Sequence, residues 1–311
     1  MVVRTTMAGK KTRIRARYSI GEWYGGAFER LSAKQRHDQA KLEVGTNTIT
    51  GLNCPFQKDR ICNKKGGVCS LRKYEQTDGR PAKLVGPLIT TCPNRFLEDG
   101  TIFRWIGEEI LQTREPVVLG QIGFLDRLRP AEETTEEDSR DFVGRIDNVL
   151  VHPTKQPMDW CAVELQAVYF SGKSMNQEFG MLAEREYADI PFPAAHRRPD
   201  WRSSGPKRLL PQLQTKVPTI RTWGKKMAVV IDEAFFSSLV GLKPERHLSN
   251  AEIAWFVVKY ELKENRWRLL RKEVVYSKLQ PSIEALTGGV ALSKEKFEAQ
   301  LQEKLRSKAK R

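Results

Sequence analysis

The first strongly periodic segment of the chain lies between residues 95 and 112. Its apolar residues recur at helical spacing, which predicts a helix with one buried face. Three runs rich in β-branched and aromatic residues follow, at 116–125, 142–151 and 160–170. Such runs are typical of strands. The pattern therefore predicts the order helix, strand, strand, strand.

The second half of the chain predicts further elements of both kinds. These are a helix over 209–223, a strand over 225–235, an antiparallel pair over 252–262 and 266–277 joined by the turn Lys263–Asn265, and a C-terminal helix over 293–310 with Phe297, Leu301 and Leu305 four residues apart. The alternation of strands and helices predicts an α/β fold with a mixed sheet. We expect a main domain over 96–311 and an N-terminal insertion over 1–95.

Four segments lack this periodicity. Residues 10–17 are a run of cations, which we expect to be a mobile arm or an edge that contacts phosphate. Residues 51–93 carry many glycines, prolines and charges, so little regular structure is expected there. Residues 131–141 are acidic and predict a mobile connection, and residues 191–211 form a loop rich in Pro, Arg and Trp.

The charge of the chain changes the picture more than its size does. Its 311 residues carry a net charge of +15. The cations of such a chain repel one another, and binding to a polyanion, most often DNA or RNA, offsets that repulsion. A basic protein without such a partner is the alternative. No run of apolar residues is long enough to span a membrane, and the first residues do not resemble a secretory signal. We expect a cytoplasmic protein.

Two polar residues interrupt the apolar strand predicted over 160–170. Glu164 and Gln166 are two positions apart, so their side chains share one face of a strand. Asp147 lies on the preceding predicted strand and would meet Glu164 if the two strands are neighbours. Two carboxylates that lie close together repel each other unless a cation separates them. Mg²⁺ suits such a site, since it binds carboxylate oxygens and keeps waters.

An acid followed by an acid–x–polar pair on a later strand is the general layout of nucleases with a PD-(D/E)XK core. In such a site Mg²⁺ activates a water for attack on a phosphate, and the amide of Gln166 would orient that water or contact the phosphate. The layout alone has low specificity. Structural acids paired with arginines remain the alternative interpretation.

Four of the five cysteines lie in the segment predicted to have little regular structure. They are Cys54, Cys62, Cys69 and Cys92. Four thiolates in such a segment predict a structural metal site that replaces a missing core, and tetrahedral sulfur ligation suits zinc or iron. Four unrelated thiols are the alternative. The fifth, Cys161, lies on an apolar strand and is expected to be a core residue.

The motifs CPF, CNKKGGVCS, GRID, VELQAVYFSG and HRRPDWRSSGPKRL together resemble the NotI-type restriction endonucleases. The most specific stretch is VELQAVYFSG, because that family carries glutamine where most PD-(D/E)XK enzymes carry lysine. This chain has that glutamine at Gln166.

The resemblance implies a type II restriction endonuclease, a homodimer that cuts both strands of a palindromic, GC-rich DNA site with Mg²⁺. It implies that Asp147, Glu164 and Gln166 form the catalytic set. It also implies an iron ion at the four cysteines and, as a genetic partner, a cognate DNA methyltransferase. In this fold the preceding helix often lends another acid, for which Glu108 and Glu109 are both candidates.

Arginine suits the recognition of guanine, because its planar fork matches the O6 and N7 acceptors. The segment 196–208 is the best candidate for such contacts, with phosphate contacts as the alternative for each cation. The residues expected to contact DNA are Arg197, Arg198, Arg202, Lys207 and Arg208. The helix over 293–310 is a candidate dimer interface, with a solvated helix as the alternative.

Two other functions are compatible with the same sequence. A nuclease with this core outside restriction would cut DNA without strict sequence choice. A metal-stabilised DNA-binding protein without chemistry would bind DNA and leave it intact, but it would not need an acid pair on a buried strand.

Overall fold

The computed structural model describes residues 14–44, 51–77, 80–126, 142–289 and 291–309. The acidic connection predicted over 131–141 lies outside these residues, as do residues 10–13 of the predicted arm. The described strands are β1 (Ile14–Trp23), β2 (Gly26–Ala27), β3 (Val68–Thr77), β4 (Lys83–Thr90), β5 (Val117–Leu119), β6 (Ile122–Asp126), β7 (Phe142–Ile146), β8 (Asn148–Val151), β9 (Trp160–Leu165), β10 (Phe170–Gly172), β11 (Arg197–Pro199), β12 (Lys226–Asp232), β13 (Ile253–Lys263) and β14 (Arg266–Ser277).

The described α-helices are α1 (Ala33–Glu43), α2 (Thr101–Ile106), α3 (Asn176–Glu184), α4 (Trp201–Ser204), α5 (Leu210–Thr222), α6 (Glu233–Phe236), α7 (Leu279–Thr287) and α8 (Lys294–Ala309). Single π-helical turns, Gly107–Leu111 and Gly205–Leu209, follow α2 and precede α5. The predicted helix over 95–112 is thus made of a 3₁₀ segment, Pro93–Gly100, then α2 and a π turn.

A six-stranded mixed sheet forms the centre of the chain, in the order β14-β13-β12-β9-β8-β5. Strand β12 runs parallel to β13 and to β9, whereas the other neighbouring pairs are antiparallel. The predicted α/β fold with a mixed sheet is therefore confirmed. The predicted hairpin is confirmed as well, since Lys263 pairs with Arg266 at its end.

Both faces of this sheet are covered, which explains why β12 is apolar from Met227 to Ile231. On one face Met227, Val229 and Ile231 pack in a core with Leu213 and Val217 of α5. On the other face, Ala228 and Val230 pack in a second core with residues of α2. Strand β9 lies beside β12 at the middle of the sheet, so a polar side chain placed there is enclosed by protein.

A four-stranded antiparallel sheet, in the order β2-β1-β3-β4, occupies most of the N-terminal region. The expectation of little regular structure over 51–93 was wrong, because β3 and β4 lie within it. Residues 14–17 of the predicted arm are also part of β1. Arg17 donates hydrogen bonds to the carbonyls of Pro193 and Ala194, and these contacts fix its position.

A buried ionic network connects this N-terminal sheet to the central sheet. Arg95 is fully buried and donates to both carboxylate oxygens of Glu22 on β1, at 3.0 and 2.8 Å. It also donates to Glu98 at 2.7 Å and to the carbonyl of Trp267 on β14 at 2.8 Å. The predicted division into 1–95 and 96–311 remains a prediction, and this network spans its boundary.

Three predicted strands are interrupted and one helix is less packed than expected. The run over 160–170 is divided between β9, which ends at Leu165, and β10, which begins at Phe170 and belongs to another sheet. The run over 116–125 is divided between β5 and β6, which belong to different sheets. The run over 142–151 is broken at Asp147, between β7 and β8. The apolar stripe of α8 is about half exposed, at 53% for Phe297 and 45% for Leu301. Over the residues described here, no helix has the length and apolar character that crossing a membrane requires.

Candidate active site

Asp147 and Glu164 are brought together by the pairing of β8 with β9. The pair is antiparallel and places Asn148 opposite Val163. Asp147, one residue before β8, therefore comes beside Glu164, one residue after Val163. The backbone N–H of Leu165 donates to the Asp147 carboxylate at 3.3 Å. The meeting of the two acids that the sequence predicted is present in the structure.

Glu164 is an acid in the middle of the central sheet. It pairs with Val229 on β12, and only 2% of its surface is exposed. Burial, followed by the charge of Asp147, raises the pKa of Glu164 to about 7. The ammonium of Lys216 contacts this carboxylate and acts in the opposite direction. The site therefore keeps a carboxyl group that titrates near neutral pH.

Gln166 lies immediately after the last residue of β9. Its backbone N–H donates to the carbonyl of Val230 at 3.0 Å, so the chain still follows β12 at this point. Its side-chain amide donates to the carbonyl of Ala167 at 2.5 Å. The side chain lines an open groove. Asp147, Glu164 and Gln166 thus occupy one end of β9, with the acids in contact and the amide facing the groove.

Two grooves flank this end of β9. The first has a volume of about 610 Å³, and its polar and charged lining residues include Gln166, Gln212, Arg208, Lys173, Lys64 and Lys65. The second has a volume of about 870 Å³, and its polar lining residues include Asp147, Asn148, Gln57, Lys58, Arg60 and Asn94. Leu165 and Pro93 line both grooves. The acid pair is therefore bordered by basic surface, much of it from the segment that carries the cysteines.

Four of the five cations predicted to contact DNA are exposed: Arg198, Arg202, Lys207 and Arg208. Arg208 also lies over the ring of Tyr169, with its guanidinium carbon 3.3 Å from the ring centre. Stacking of this kind fixes a guanidinium without using its hydrogen-bond donors. Arg208 can therefore present those donors to the first groove.

Arg197 differs from these four because it is buried, with 4% of its surface exposed. It forms an ion pair with Glu178 and donates to the carbonyls of Lys173 and Ser174, at 2.7 and 2.5 Å. These bonds fix β11 next to the segment that follows β10. Its Nη1 atom has no hydrogen-bond partner in the described part of the chain, and Arg197 lines the first groove.

The four N-terminal cysteines are all buried. Cys54 and Cys62 lie before β3, Cys69 lies on β3, and Cys92 follows β4. The backbone N–H of Cys54 donates to the carbonyl of Arg60, and that of Cys92 donates to the carbonyl of Cys69. Burial raises the pKa values of Cys62, Cys69 and Cys92, and nearby cysteines raise them further. The thiols therefore act on one another electrostatically.

The donor set of four thiols fits zinc or iron by its chemistry. Within the ranges that the structure describes, however, no three Cys, His, Asp or Glu side chains lie close enough together to hold a metal ion. Cys161 is buried on β9, and its pKa is raised mainly by burial. This is the environment expected of a plain core residue.

Within the described residues, neither candidate helix acid contacts the acid pair. Glu108 contacts Arg271 at 2.5 Å and Arg114 at 3.5 Å. Glu109 accepts a hydrogen bond from the hydroxyl of Tyr276. Arg271 and Tyr276 both belong to the edge strand β14, whereas the acid pair lies at β8 and β9.

Sequence reasoning missed Lys216 on α5, the residue that contacts Glu164. It lies among the buried residues of that helix, next to Val217 and three positions after Leu213. A lysine at an apolar position of an amphipathic helix is unusual. That position could have identified Lys216 as unusual, but it does not indicate that its partner is Glu164, 52 residues away.

Comparisons with known proteins give one result for this chain. Residues 41–269 match the family model described as restriction endonuclease NotI. That range covers most of the chain and includes the four N-terminal cysteines, the acid pair and Lys216. A comparison with curated proteins produced no match.

Proposed function

The chain belongs to the NotI restriction endonuclease family, and from this membership we propose that it is a type II enzyme that cuts both strands of a palindromic, GC-rich site in double-stranded DNA. A restriction endonuclease acts on DNA. The observation that carries the proposal is the contact between Asp147 and the buried Glu164 at the border of two basic grooves. A protein that only binds DNA gains nothing from placing a second acid beside a buried one.

Asp147 and Glu164 are the residues that would hold Mg²⁺. Their donor set fits, since Mg²⁺ binds one or two carboxylates and retains water, and a cation also relieves the repulsion between them. When bound, Mg²⁺ supplies charge stabilisation to the phosphate under attack. Gln166 faces the groove without a charge, and its amide would orient the attacking water or contact the phosphate.

The exposed cations of the grooves would hold the DNA backbone. Most cationic contacts in protein–DNA complexes go to phosphate and set the position of the protein. Arg198, Arg202, Lys207 and Arg208 have the exposure that this role requires. Arg197 would contribute only if its unpartnered Nη1, which is buried, became exposed, because its other donors are engaged with Glu178 and backbone carbonyls.

We propose that Cys54, Cys62, Cys69 and Cys92 hold the metal of the N-terminal module, which requires their thiols to come closer together than in the described structure, where no three of them could hold an ion. The family resemblance favours iron, and zinc suits the same donors. The cysteine segment also supplies Lys58, Arg60, Lys64 and Lys65 to the two grooves. A metal that fixes this segment would therefore fix a set of cations beside the acid pair.

The proposed reaction implies two partners besides DNA. A palindrome is recognised most simply by a twofold symmetric protein, so we propose a homodimer. A restriction enzyme in the cytoplasm would also cut the DNA of its own cell. We therefore propose a cognate DNA methyltransferase that protects the target site.

The test is digestion of long, unmethylated, GC-rich DNA by the purified protein in Mg²⁺, with Glu164→Gln in parallel. Glu109→Gln is the matched control, because this acid contacts Tyr276 on β14. We expect discrete fragments from the wild type and from Glu109→Gln, and intact DNA with Glu164→Gln. The sequences of the fragment ends would give the recognition site and the position of the cut.

Two other results would contradict the proposal in different ways. A smear that Glu164→Gln abolishes would indicate a nuclease of the same core without strict sequence choice. Bound but intact DNA, with affinity that Glu164→Gln does not change, would indicate a DNA-binding protein without chemistry.

A further inference from the structure

Lys216 is a buried lysine in the candidate active site. Only 5% of its surface is exposed, although the ammonium of lysine is strongly hydrated in water. Its ammonium contacts the carboxylate of Glu164 and donates to the side-chain oxygen of Gln212 at 3.0 Å. An ammonium has three N–H donors. In the described part of the chain, two acceptors are found for them.

The position of Lys216 follows from helix α5. Gln212 lies one turn earlier on the same helix, and its side chain lines the first groove beside Gln166. The Lys216 ammonium is therefore one hydrogen bond from a residue of the groove wall, and it also contacts the acid pair. Its hydrogen bond to Gln212 connects it to the groove along which DNA would lie.

Phosphodiester cleavage needs positive charge at this place. The phosphate gains charge as the water attacks, and fixed cations stabilise that charge. The position two residues after Glu164 could supply a cation from the strand itself, but Gln166 is neutral. Within the described residues, Lys216 is the cation that directly contacts Glu164.

We propose that Lys216, brought in from helix α5, supplies to this active site the positive charge that Gln166 does not carry, with its free N–H directed to the attacking water or the phosphate. The inference rests on the proposed nuclease function. The reaction class is hydrolysis of a phosphodiester, in which water adds to phosphorus and a sugar oxygen leaves.

A purely structural role is the competing interpretation. Lys216 would then only neutralise the buried Glu164, as a cation must where a carboxylate is enclosed. The two roles differ in what a charge at position 166 can do. A lysine there would extend into the groove from the strand, where it can act on DNA without restoring the contact between α5 and Glu164.

The test compares Lys216→Met, Lys216→Arg and the double variant Gln166→Lys/Lys216→Met with the wild type. The measurements are single-turnover cleavage of a DNA that the wild type cuts, DNA binding without added metal, and thermal unfolding. Lys225→Met is the matched control, because Lys225 forms an ion pair with Asp159. Removing one preorganised donor that stabilises developing charge typically lowers the rate about 100- to 1,000-fold.

We expect Lys216→Met to cut at least about 100-fold more slowly and to bind DNA as the wild type does. The double variant should regain at least about tenfold of that rate while its melting temperature stays at the Lys216→Met value. Lys216→Arg keeps the charge and the ion pair but displaces the donors. It should fold and still cut at least about tenfold more slowly.

Unchanged cleavage by Lys216→Arg, with no gain in the double variant, would overturn the inference and leave Lys216 a structural partner of Glu164. Unchanged cleavage by Lys216→Met would overturn it as well. In both cases the wild type still cuts and Glu164→Gln does not, so the nuclease function stands. A wild type that leaves every tested DNA intact would overturn the function and this inference together.

Discussion

The backbone N–H of Leu165 donates to the carboxylate of Asp147 at 3.3 Å and thereby holds Asp147 beside the buried Glu164. The bond is available because β7 ends at Ile146 and β8 begins at Asn148, so Asp147 lies in the bend between two strands. A side chain inside a regular strand would point to one face of the sheet. The bend lets the carboxylate turn toward the end of β9.

This arrangement predicts how the stability of the metal-free protein depends on pH. The pKa of Glu164 is raised to about 7 in the folded state, from an ordinary value of 4.5. Between these values the folded state binds more protons than the unfolded state does, so the free energy of unfolding falls as the pH rises from about 4.5 to 7. Asp147→Asn removes one cause of the shift and should reduce that fall.

The measurement is urea denaturation at pH 5 and pH 8 in a chelating buffer. If the pKa of Glu164 falls by one unit in Asp147→Asn, the decrease in unfolding free energy from pH 5 to pH 8 becomes smaller by roughly 1.4 kcal/mol. Asp159→Asn is a suitable control, because Asp159 forms ion pairs with Lys155 and Lys225 at the other end of β9. Identical pH dependence in the wild type and in Asp147→Asn would mean that the two carboxylates do not interact.

Arg197 and Arg198 are neighbours that should respond to substitution in opposite ways. Arg197→Ala leaves Glu178 buried without a cation and should cost roughly 3–5 kcal/mol of unfolding free energy. Arg198 is exposed, so Arg198→Ala should leave stability within about 0.5 kcal/mol. The loss of one phosphate contact should weaken DNA binding and reduce the salt slope by about 1.

Thermal unfolding and DNA binding over a range of salt concentrations separate the two residues. Arg198→Ala with an unchanged affinity and an unchanged salt slope would remove Arg198 from the DNA surface. Arg197→Ala with normal stability would show that its ion pair with Glu178 contributes little to the stability of the paired strands β10 and β11.

The parts of the fold that the sequence predicted best are those with strong local periodicity. The helix α5, the strand β12 and the hairpin of β13 and β14 each combine a regular apolar pattern with a clear end. The strands β3 and β4 were missed because charged residues and a glycine interrupt their apolar residues. Part of each strand is exposed, so the alternation of apolar and polar residues that predicts a strand is weak there. Pairing with β1 stabilises β3, and that partner lies about 50 residues away in the sequence.

The candidate site was predicted in part for a similar reason. Asp147, Glu164 and Gln166 stand out because polar residues interrupt an apolar pattern, and that signal is local. Lys216 contacts Glu164 only after α5 packs on the sheet, and Arg197 is enclosed by Glu178 of α3. A single sequence shows a cation at each of these positions, but it does not show which cations become buried.

Arg95 is predicted to be one of the residues most important for stability. Its bonds to Glu22, Glu98 and the carbonyl of Trp267 join the two sheets. Arg95→Met would leave two carboxylates near each other without their cation, so we expect a loss of roughly 3–5 kcal/mol in unfolding free energy. Denaturant unfolding would measure it. Arg268→Met is the control, since the Arg268 side chain is 47% exposed and contacts Glu98 from outside, and a comparable loss there would contradict the special role of Arg95.

The cysteine cluster gives the last prediction. Cys69→Ser removes one of four buried thiols in the N-terminal module, whereas Cys161→Ser removes a buried thiol from β9. If the four thiols hold a metal, binding is coupled to folding, so Cys69→Ser should lose the metal and on the order of several kcal/mol of unfolding free energy. Cys161→Ser should retain the metal and show only the smaller cost of burying a hydroxyl.

Elemental analysis of the purified proteins for iron and zinc, with thermal unfolding of each, makes the comparison. About one metal ion per chain in the wild type and in Cys161→Ser, together with its absence from Cys69→Ser, would establish the site and identify the element. A metal-free wild type with normal stability would contradict the metal assignment. The four thiols would then be core residues of the module, held together by the backbone bond between Cys69 and Cys92 and by burial alone.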